Sequence, residues 1–278
     1  MKDLSVIIVN YYSKSLIKKL LPTLPQTVIE KGEIIIVNNS PEEKIDFKDF
    51  KNLKVINNKE NLGFGRAVNI GVKESKGKYL LIVNPDVRFI KGFERAFDLI
   101  KKRKKIGMIV PLMIDKNGHK IPPWRDMDFN FRTFIYLLGY DKFILKKERK
   151  RIKPKYVPVA PGACFLMPSK VFKKLNGFDE DYFLFKEDED LERRLRRDNL
   201  YIYFFPEWLI YHDFGEVHKE TLFSFYHRIR SLYIFYKKYQ KIIYPVIRII
   251  IPAFYLIKSI FKKENFKYFL TSLLVKSI

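Results

Sequence analysis

The chain has 278 residues, 47% of them apolar and spread along its length, with a formal net charge of +23. That is enough apolar material for a sizeable core and excludes a disordered polar chain. A single cysteine, Cys164, excludes a disulfide framework and points to a reducing, cytoplasmic setting. The start, MKDLSVIIVN, carries no signal-like apolar segment, so secretion is not expected. The charge points to a polyanionic partner: nucleic acid, an anionic membrane surface or phosphorylated substrates.

The first hundred residues alternate strand-like and helix-like patterns. LSVIIV (4–9), EIIIVNNS (33–40), LKVINN (53–58) and KYLLIV (78–83) read as strands, and GRAVNIGVKES (65–75) reads as a helix. Strands apolar on both faces and separated by helices predict a mostly parallel sheet flanked by helices. In such sheets ligands sit beyond the carboxyl ends of the strands, where Asn10-Tyr11, Asn38-Asn39-Ser40 and Asn84-Pro85-Asp86 would gather. GMIVPL (107–112) is a further strand, 141–155 is a charged loop, and 157–215 returns to dense strand and helix patterning. Beyond about residue 220 the chain turns aromatic, aliphatic and basic. The expected division is therefore a catalytic domain over 1–220 and a basic, aromatic helical region over 221–278.

Three pieces carry chemistry. Asp86 ends an apolar strand behind a proline; Asn-Pro-Asp is common turn chemistry, but charge at a buried strand's exit needs a partner such as a cation. FLFKEDEDLERRLRRDN (183–199) crowds four carboxylates, Glu187 to Asp190. The helix dipole and the i,i+4 pairs Glu189–Arg193 and Asp190–Arg194 account for some of these acids. Crowding also raises a carboxyl pKa, as a general base or a metal site requires. His212 ends the apolar stretch WLIYH; alone it reads as structural, and with Asp86 it offers hard ligands for Mg2+ or Mn2+. No CxxC or HxxxH spacing supports zinc. GFGRAVNIG (63–71) imitates a dinucleotide fingerprint, but the first strand–helix turn, NYYSKS, has no glycine.

The chain resembles the inverting glycosyltransferases of family two with the GT-A (Rossmann-like) fold, particularly rhamnosyltransferase-like members. The resemblance rests on SVIIVNYYSKSLIKKLLPTL, EIIIVNNS, NKENLGFGRAVNIGV, YLLIVNPDV, PGACFLMPSKVFKKLNGFDEDYFLFKEDEDLERRL and WLIYHDFGE, in that order over residues 4 to about 216. It implies that Asn10, Tyr11, Asn38 and Asn39 line a nucleobase pocket and that Arg66 lies near the donor phosphates. Asp86 would close a DxD-type metal motif, with His212 as the second metal ligand and Asp188 as catalytic base. Asp179 and Glu180, with Glu187, would belong to the donor–acceptor site. Asn38 stands where the family usually has aspartate, which alters the expected base contact, and the processive QxxRW signature is absent. The implied activity moves a sugar from a UDP- or dTDP-sugar, dTDP-rhamnose among the candidates, to a glycan or lipid-linked hydroxyl in cell-surface polysaccharide synthesis.

Residues 242–260 approach transmembrane length but are interrupted by Pro245, Arg248, Pro252 and Lys258. From residue 217 onward twelve basic side chains face two acids. Interfacial helices on the inner face of the cell membrane are expected, with the basic 146–155 loop gripping a lipid-pyrophosphate acceptor. A nucleic-acid-binding protein would interleave its basic residues with aromatics over the folded domain. A nucleotidyltransferase would place a glycine-rich phosphate loop where NYYSKS stands, and a silent membrane scaffold would show no sugar-nucleotide hydrolysis.

Overall fold

A computed structural model describes residues 3–47, 50–121, 153–213, 221–261 and 263–275. Most of the charged run 141–155, from 141 to 152, lies outside these residues. The amino-terminal half contains strands β1 (Leu4–Asn10), β2 (Glu33–Asn38), β3 (Leu53–Asn57), β4 (Tyr79–Val83) and β5 (Val87–Lys91). Helices α1 (Lys14–Leu20), α2 (Gln26–Lys31), α3 (Phe64–Lys73) and α4 (Phe93–Lys102) join them. Then follow β6 (Ile106–Ile114), β7 (Lys120–Ile121), β8 (Lys155–Val157), β9 (Cys164–Pro168), α5 (Ser169–Lys174), α6 (Glu187–Arg197) and β10 (Tyr201–His212). The remaining helices are α7 (Leu222–Tyr239), α8 (Tyr244–Phe261) and α9 (Phe266–Leu274).

Every residue of β1 and β2 is buried, because apolar clusters cover both faces of the sheet. One cluster packs Ile17, Leu20, Val28 and Phe97 against the sheet; the other packs Val68, Val72, Phe172 and Leu195. The glycines of the fingerprint-like stretch serve this packing. A Cβ on Gly71 would meet Ile7 and Val37 at 2.8 and 3.0 Å, so only glycine lets α3 lie this close to the sheet. Gly63 takes a φ of +83° against the carbonyl of Phe183.

The sheet order is β3-β2-β1-β4-β9-β6-β10-β5, with β7 on β6 and β8 on β10. Strands β3, β2, β1 and β4 are parallel, as the alternating pattern predicts. The sheet as a whole is mixed, which corrects the mostly parallel expectation. Strand β9 enters antiparallel between β4 and β6, and β5 and β8 run antiparallel to β10. Burial on both faces reports only that helices cover the sheet; it is blind to strand direction.

Three residues, 84–86, join β4 to β5, yet β5 stands four places along the sheet. A flat sheet would separate them by about 19 Å at ~4.8 Å per strand, more than the roughly 15 Å that four virtual bonds reach. The sheet therefore curls, bringing its far edge back to the end of β4.

Helix α7 packs against the segment that precedes α6. Phe225, Ile229, Tyr233 and Phe235 are buried, Arg230 Nη1 donates to the Asp181 carbonyl at 2.8 Å, and Ser231 Oγ donates to the Leu184 carbonyl at 2.8 Å. A division at residue 220 thus falls at the start of a helix that braces the first unit.

Candidate active site

The curl of the sheet sets Asp86 beside His212. Val87 pairs with His212 across the β5–β10 ladder, and Asp86 Oδ2 lies 3.2 Å from His212 Nε2. The turn holding Asp86 is closed by Val87 N–H donating to the Asn84 carbonyl at 3.2 Å and by Arg88 Nη1 donating to the Pro85 carbonyl at 2.8 Å. Both side chains are mostly buried, 21% and 12% exposed. Two donors cis on an octahedral Mg2+ at its ~2.0–2.1 Å bond length stand about 3 Å apart, so the observed separation suits a shared divalent ion. A carboxylate oxygen with an imidazole nitrogen is also a suitable donor set for Mg2+ or Mn2+. Among the described residues no group of three or more His, Cys, Asp or Glu converges.

Asp188 is tied to the segment that leads into β9. Asn84 N–H donates to the Ala163 carbonyl at 2.8 Å, and the neighbouring Gly162 N–H donates to Asp188 Oδ2 at 2.9 Å. The 162–163 segment is therefore hydrogen-bonded to the Asp86 turn on one side and to Asp188 on the other. Its backbone must pass close, since a Cβ on Gly162 would stand 2.9 Å from Asp188 Cβ. Phe185 and Lys186, immediately before α6, both adopt left-handed φ values of 69° and 68°. Such backbone costs on the order of 1–3 kcal/mol per residue and persists only when held. Here it is held by Ser231 of α7 on the Leu184 carbonyl and by Lys186 Nζ on Glu189 at 2.6 Å.

The neighbours of Asp188 are carboxyls in unlike surroundings. Glu187 is buried, and burial first, then the charge of Asp188, pushes its carboxyl well above the ordinary range. Glu192, one turn further on, is buried too; its Oε1 accepts from Ala160 N–H at 3.0 Å, and burial raises its carboxyl in the same direction. Asp188 accepts backbone N–H bonds on both carboxyl oxygens, from Gly162 and from Glu189. Asp190 is fully buried and bound by Arg194, Lys238 and Tyr239. The Asp190–Arg194 pair forms as the spacing predicts, and Glu189 pairs with Lys186.

At the ends of β1 and β2 the asparagines form an internal network. Asn10 Nδ2 donates to Asn38 Oδ1 and to Glu43 Oε2, and its Oδ1 accepts from Ser13 N–H and Oγ–H. Asn38 Nδ2 donates to the Glu43 carbonyl and Asn57 Oδ1, while its Oδ1 also accepts from Ser40 N–H. Both amides are buried with their hydrogen-bonding capacity used by protein partners. The two amides thus form a buried floor that fixes the ends of β1 and β2, at the edge where the base is expected. Asn39 is likewise buried, donating to Asn61 Oδ1 and the Gly63 carbonyl. Tyr11, immediately after β1, is 43% exposed.

The other expected residues lie toward α7. Arg66 pairs with Glu180 at 3.2 Å, and Asp179 accepts from Lys238 Nζ at 2.6 Å. Burial raises the Asp179 carboxyl, but the hydrogen bonds from Lys238 and Asp181 N–H, with the charges of Lys238 and Arg194, together outweigh it and hold the group below its ordinary value. A cavity of about 400 Å3, lined by Asn61, Arg66, Glu180, Phe183, Tyr226 and Arg230 among others, opens between α3 and α7. Asp86, Asp188 and His212 do not line it; Phe183, which does, lies just before α6.

Sequence reasoning missed Gly162, Glu192, Arg88 and the α7 pair Lys238 and Tyr239. Glu192 had a signal, since it lies one helical turn from Asp188. The α7 residues had none, because nothing local ties 238 to 190.

The description "Glycosyl transferase family 2" matches residues 5–176 of the chain. The chain is 24% identical over 274 residues to the low-salt glycan biosynthesis hexosyltransferase of Haloferax volcanii, covering 94% of this chain and 86% of that protein. It is 25% identical over 214 residues to the N-acetylglucosaminyl-diphospho-decaprenol L-rhamnosyltransferase of Mycobacterium tuberculosis, covering 69% and 70%. The crystal structure of GalNAc-T7 with UDP, GalNAc and Mn2+ superposes with a TM-score of 0.60 at 15% identity, covering all of this chain and 55% of that one. Such a likeness fixes the architecture as α/β and GT-A-like. The chain therefore belongs to glycosyl transferase family 2, and it is an enzyme that transfers a sugar from a nucleotide-sugar donor to an acceptor.

Proposed function

We propose that the chain is a metal-dependent, inverting hexosyl- or rhamnosyltransferase. It takes a UDP- or dTDP-sugar and glycosylates a hydroxyl of a glycan or lipid-linked acceptor in cell-surface polysaccharide synthesis. The observation that supports this is the approach of Asp86 to His212 at the exit of β4, with Asp188 hydrogen-bonded to Gly162, next to the Ala163 carbonyl that Asn84 binds.

In this reading Tyr11 stacks on the base above the asparagine floor, and Arg66, released from Glu180, faces the donor phosphates. A divalent ion, Mg2+ or Mn2+, held by Asp86 and His212 would stabilise the charge developing on the diphosphate leaving group. Asp188 accepts the proton of the acceptor hydroxyl as its oxygen bonds to the anomeric carbon and the bond to the diphosphate breaks. Attack from the face opposite the leaving group inverts that carbon. Glu187 and Glu192, whose surroundings favour their neutral forms, leave the base role to Asp188. Asp179 and Glu180 border the acceptor side, where the α3–α7 cavity offers room. The relative that glycosylates a diphospho-decaprenol supports a lipid-linked acceptor, and the net charge supports work at the anionic inner face of the cell membrane.

A panel of UDP-, dTDP- and GDP-sugars, with Mg2+, Mn2+ or chelator, tests the reading by nucleoside diphosphate release and thermal shift. Metal-dependent turnover of a uracil or thymine donor is expected. Asp188→Asn should lose about two to four powers of ten in turnover while keeping donor binding. Lost donor binding with unchanged turnover of bound donor would overturn the assignment.

A further inference from the structure

Helix α8 has the wrong outside for a helix packed on a water-soluble body. Its inner face, with Ile247 and Ile251 buried, lies in the cluster with Tyr233, Phe235 and Val275. The opposite face should then be polar. Instead Val246, Ile249, Ala253, Leu256, Ile257 and Ile260 recur along it at helical spacing, and all are exposed. Ile249 and Ile260 are 71% and 75% exposed, and Phe261, at the end of the helix, is 82% exposed. No charged residue interrupts this stripe, since Arg248 and Lys258 fall on other faces. Helix α9, packed against α8, repeats the pattern with Phe266, Leu270, Leu273 and Leu274 exposed. An apolar surface shared by two paired helices exceeds the scattered exposure of single apolar residues that a soluble surface tolerates.

We propose that the α8–α9 hairpin is a membrane-docking module that lies in the plane of an anionic bilayer without crossing it. This goes beyond the catalytic reading and does not depend on it. The charge at its rim selects the occupant: Lys241, Lys263 and Lys267 are exposed around the stripe, with Glu264 the single acid from 241 to 275. Such a rim meets anionic headgroups while the apolar face enters the acyl boundary. Phe261 and Phe266, at the turn between the helices, are placed as interfacial anchors.

Composition alone would also let α8 span, with 18 residues at a mean hydropathy of 1.5. Packing decides against it. Eighteen residues rise about 27 Å, short of the roughly 30 Å hydrocarbon core. Arg248 is turned inward, donating to the Val275 carbonyl with its guanidinium 4.6 Å from the centre of the Tyr233 ring. Spanning would strip this contact and the buried Ile247 and Ile251 from α7 and α9. One face of each helix belongs to the protein, and only the other is available to lipid.

The test uses the full chain with vesicles of phosphatidylcholine, alone or with one quarter phosphatidylglycerol. Sedimentation should show binding to the anionic vesicles that weakens in 0.5 M salt. Ile249→Glu/Ile257→Glu/Ile260→Glu should weaken it on the order of tenfold or more, with unchanged circular dichroism and nucleotide-induced thermal shift. Lys263→Glu/Lys267→Glu, which leaves the stripe intact, should weaken only the anionic preference. Alkaline carbonate should release the bound protein. Equal binding to neutral vesicles, retention after carbonate, or no vesicle binding would each overturn the proposal. So would a dimer in sedimentation velocity that the stripe variant converts to monomer, since a second copy would then be the occupant.

Discussion

Replacing Gly162 by alanine probes the link between the strand end and the base. The added Cβ would stand 2.9 Å from Asp188 Cβ and 3.1 Å from its Oδ2, whereas ordinary contacts begin near 3.4 Å. The two groups must therefore part by about half an ångström, and the carboxylate is the movable one because the Ala163 carbonyl is pinned to Asn84. A 1 Å misplacement of a reacting group costs on the order of 10²-fold, so a loss of about 10- to 100-fold in kcat is expected. The Gly162 N–H donor survives the substitution. Overpacking should cost roughly 1–3 kcal/mol of stability, partly offset by the stiffer unfolded chain. The assay is steady-state turnover on the responsive donor, with nucleotide affinity measured separately and expected unchanged. If the effect runs through Asp188, Gly162→Ala should add little in the Asp188→Asn background. Unchanged turnover, or the same loss in both backgrounds, would refute the reasoning.

Lys238→Met should destabilise the protein by about 1–2 kcal/mol in urea unfolding. Breaking a buried pair costs roughly 3–5 kcal/mol, reduced here because Lys238 is over a third exposed and Asp190 keeps Arg194 and Tyr239. An unchanged midpoint would mean α7 is not held by this pair. Glu192→Gln should flatten the pH dependence of stability. A carboxyl raised in the folded state stabilises fully below its unfolded value near 4.5, and that contribution is lost as pH climbs through the raised folded value. Unfolding midpoints from pH 4.5 upward should therefore fall less steeply in the variant; parallel curves would show that Glu192 takes no part.

Much of the catalytic half is legible locally. Continuous apolar runs mark β1, β2 and β4, and the polar residues that follow each of them mark the ligand edge. Asp86 stands out because proline and a buried strand leave its charge at the core's margin. Asp188 stands out because four adjacent carboxylates exceed what a helix dipole needs. The partners of Asn10 and Asn38 were not legible, because the chemistry of an asparagine does not reveal whether its amide faces a ligand or other asparagines. Here Asn57 and Ser40 occupy the amide of Asn38.

The sequence alone determined strands β1, β2, β3, β4 and β6, helix α3, which residues carry charge at the strand ends, and that the last sixty residues are apolar and basic. Those properties follow from short-range periodicity and composition. Only the tertiary structure decided strand direction in the second half, the approach of His212 to Asp86, and the role of α7 as a brace. It also decided that α8 keeps one apolar face for the protein and turns the other outward. Each of these is a contact between residues tens of positions apart, set by how a curled sheet closes, and no local pattern encodes it.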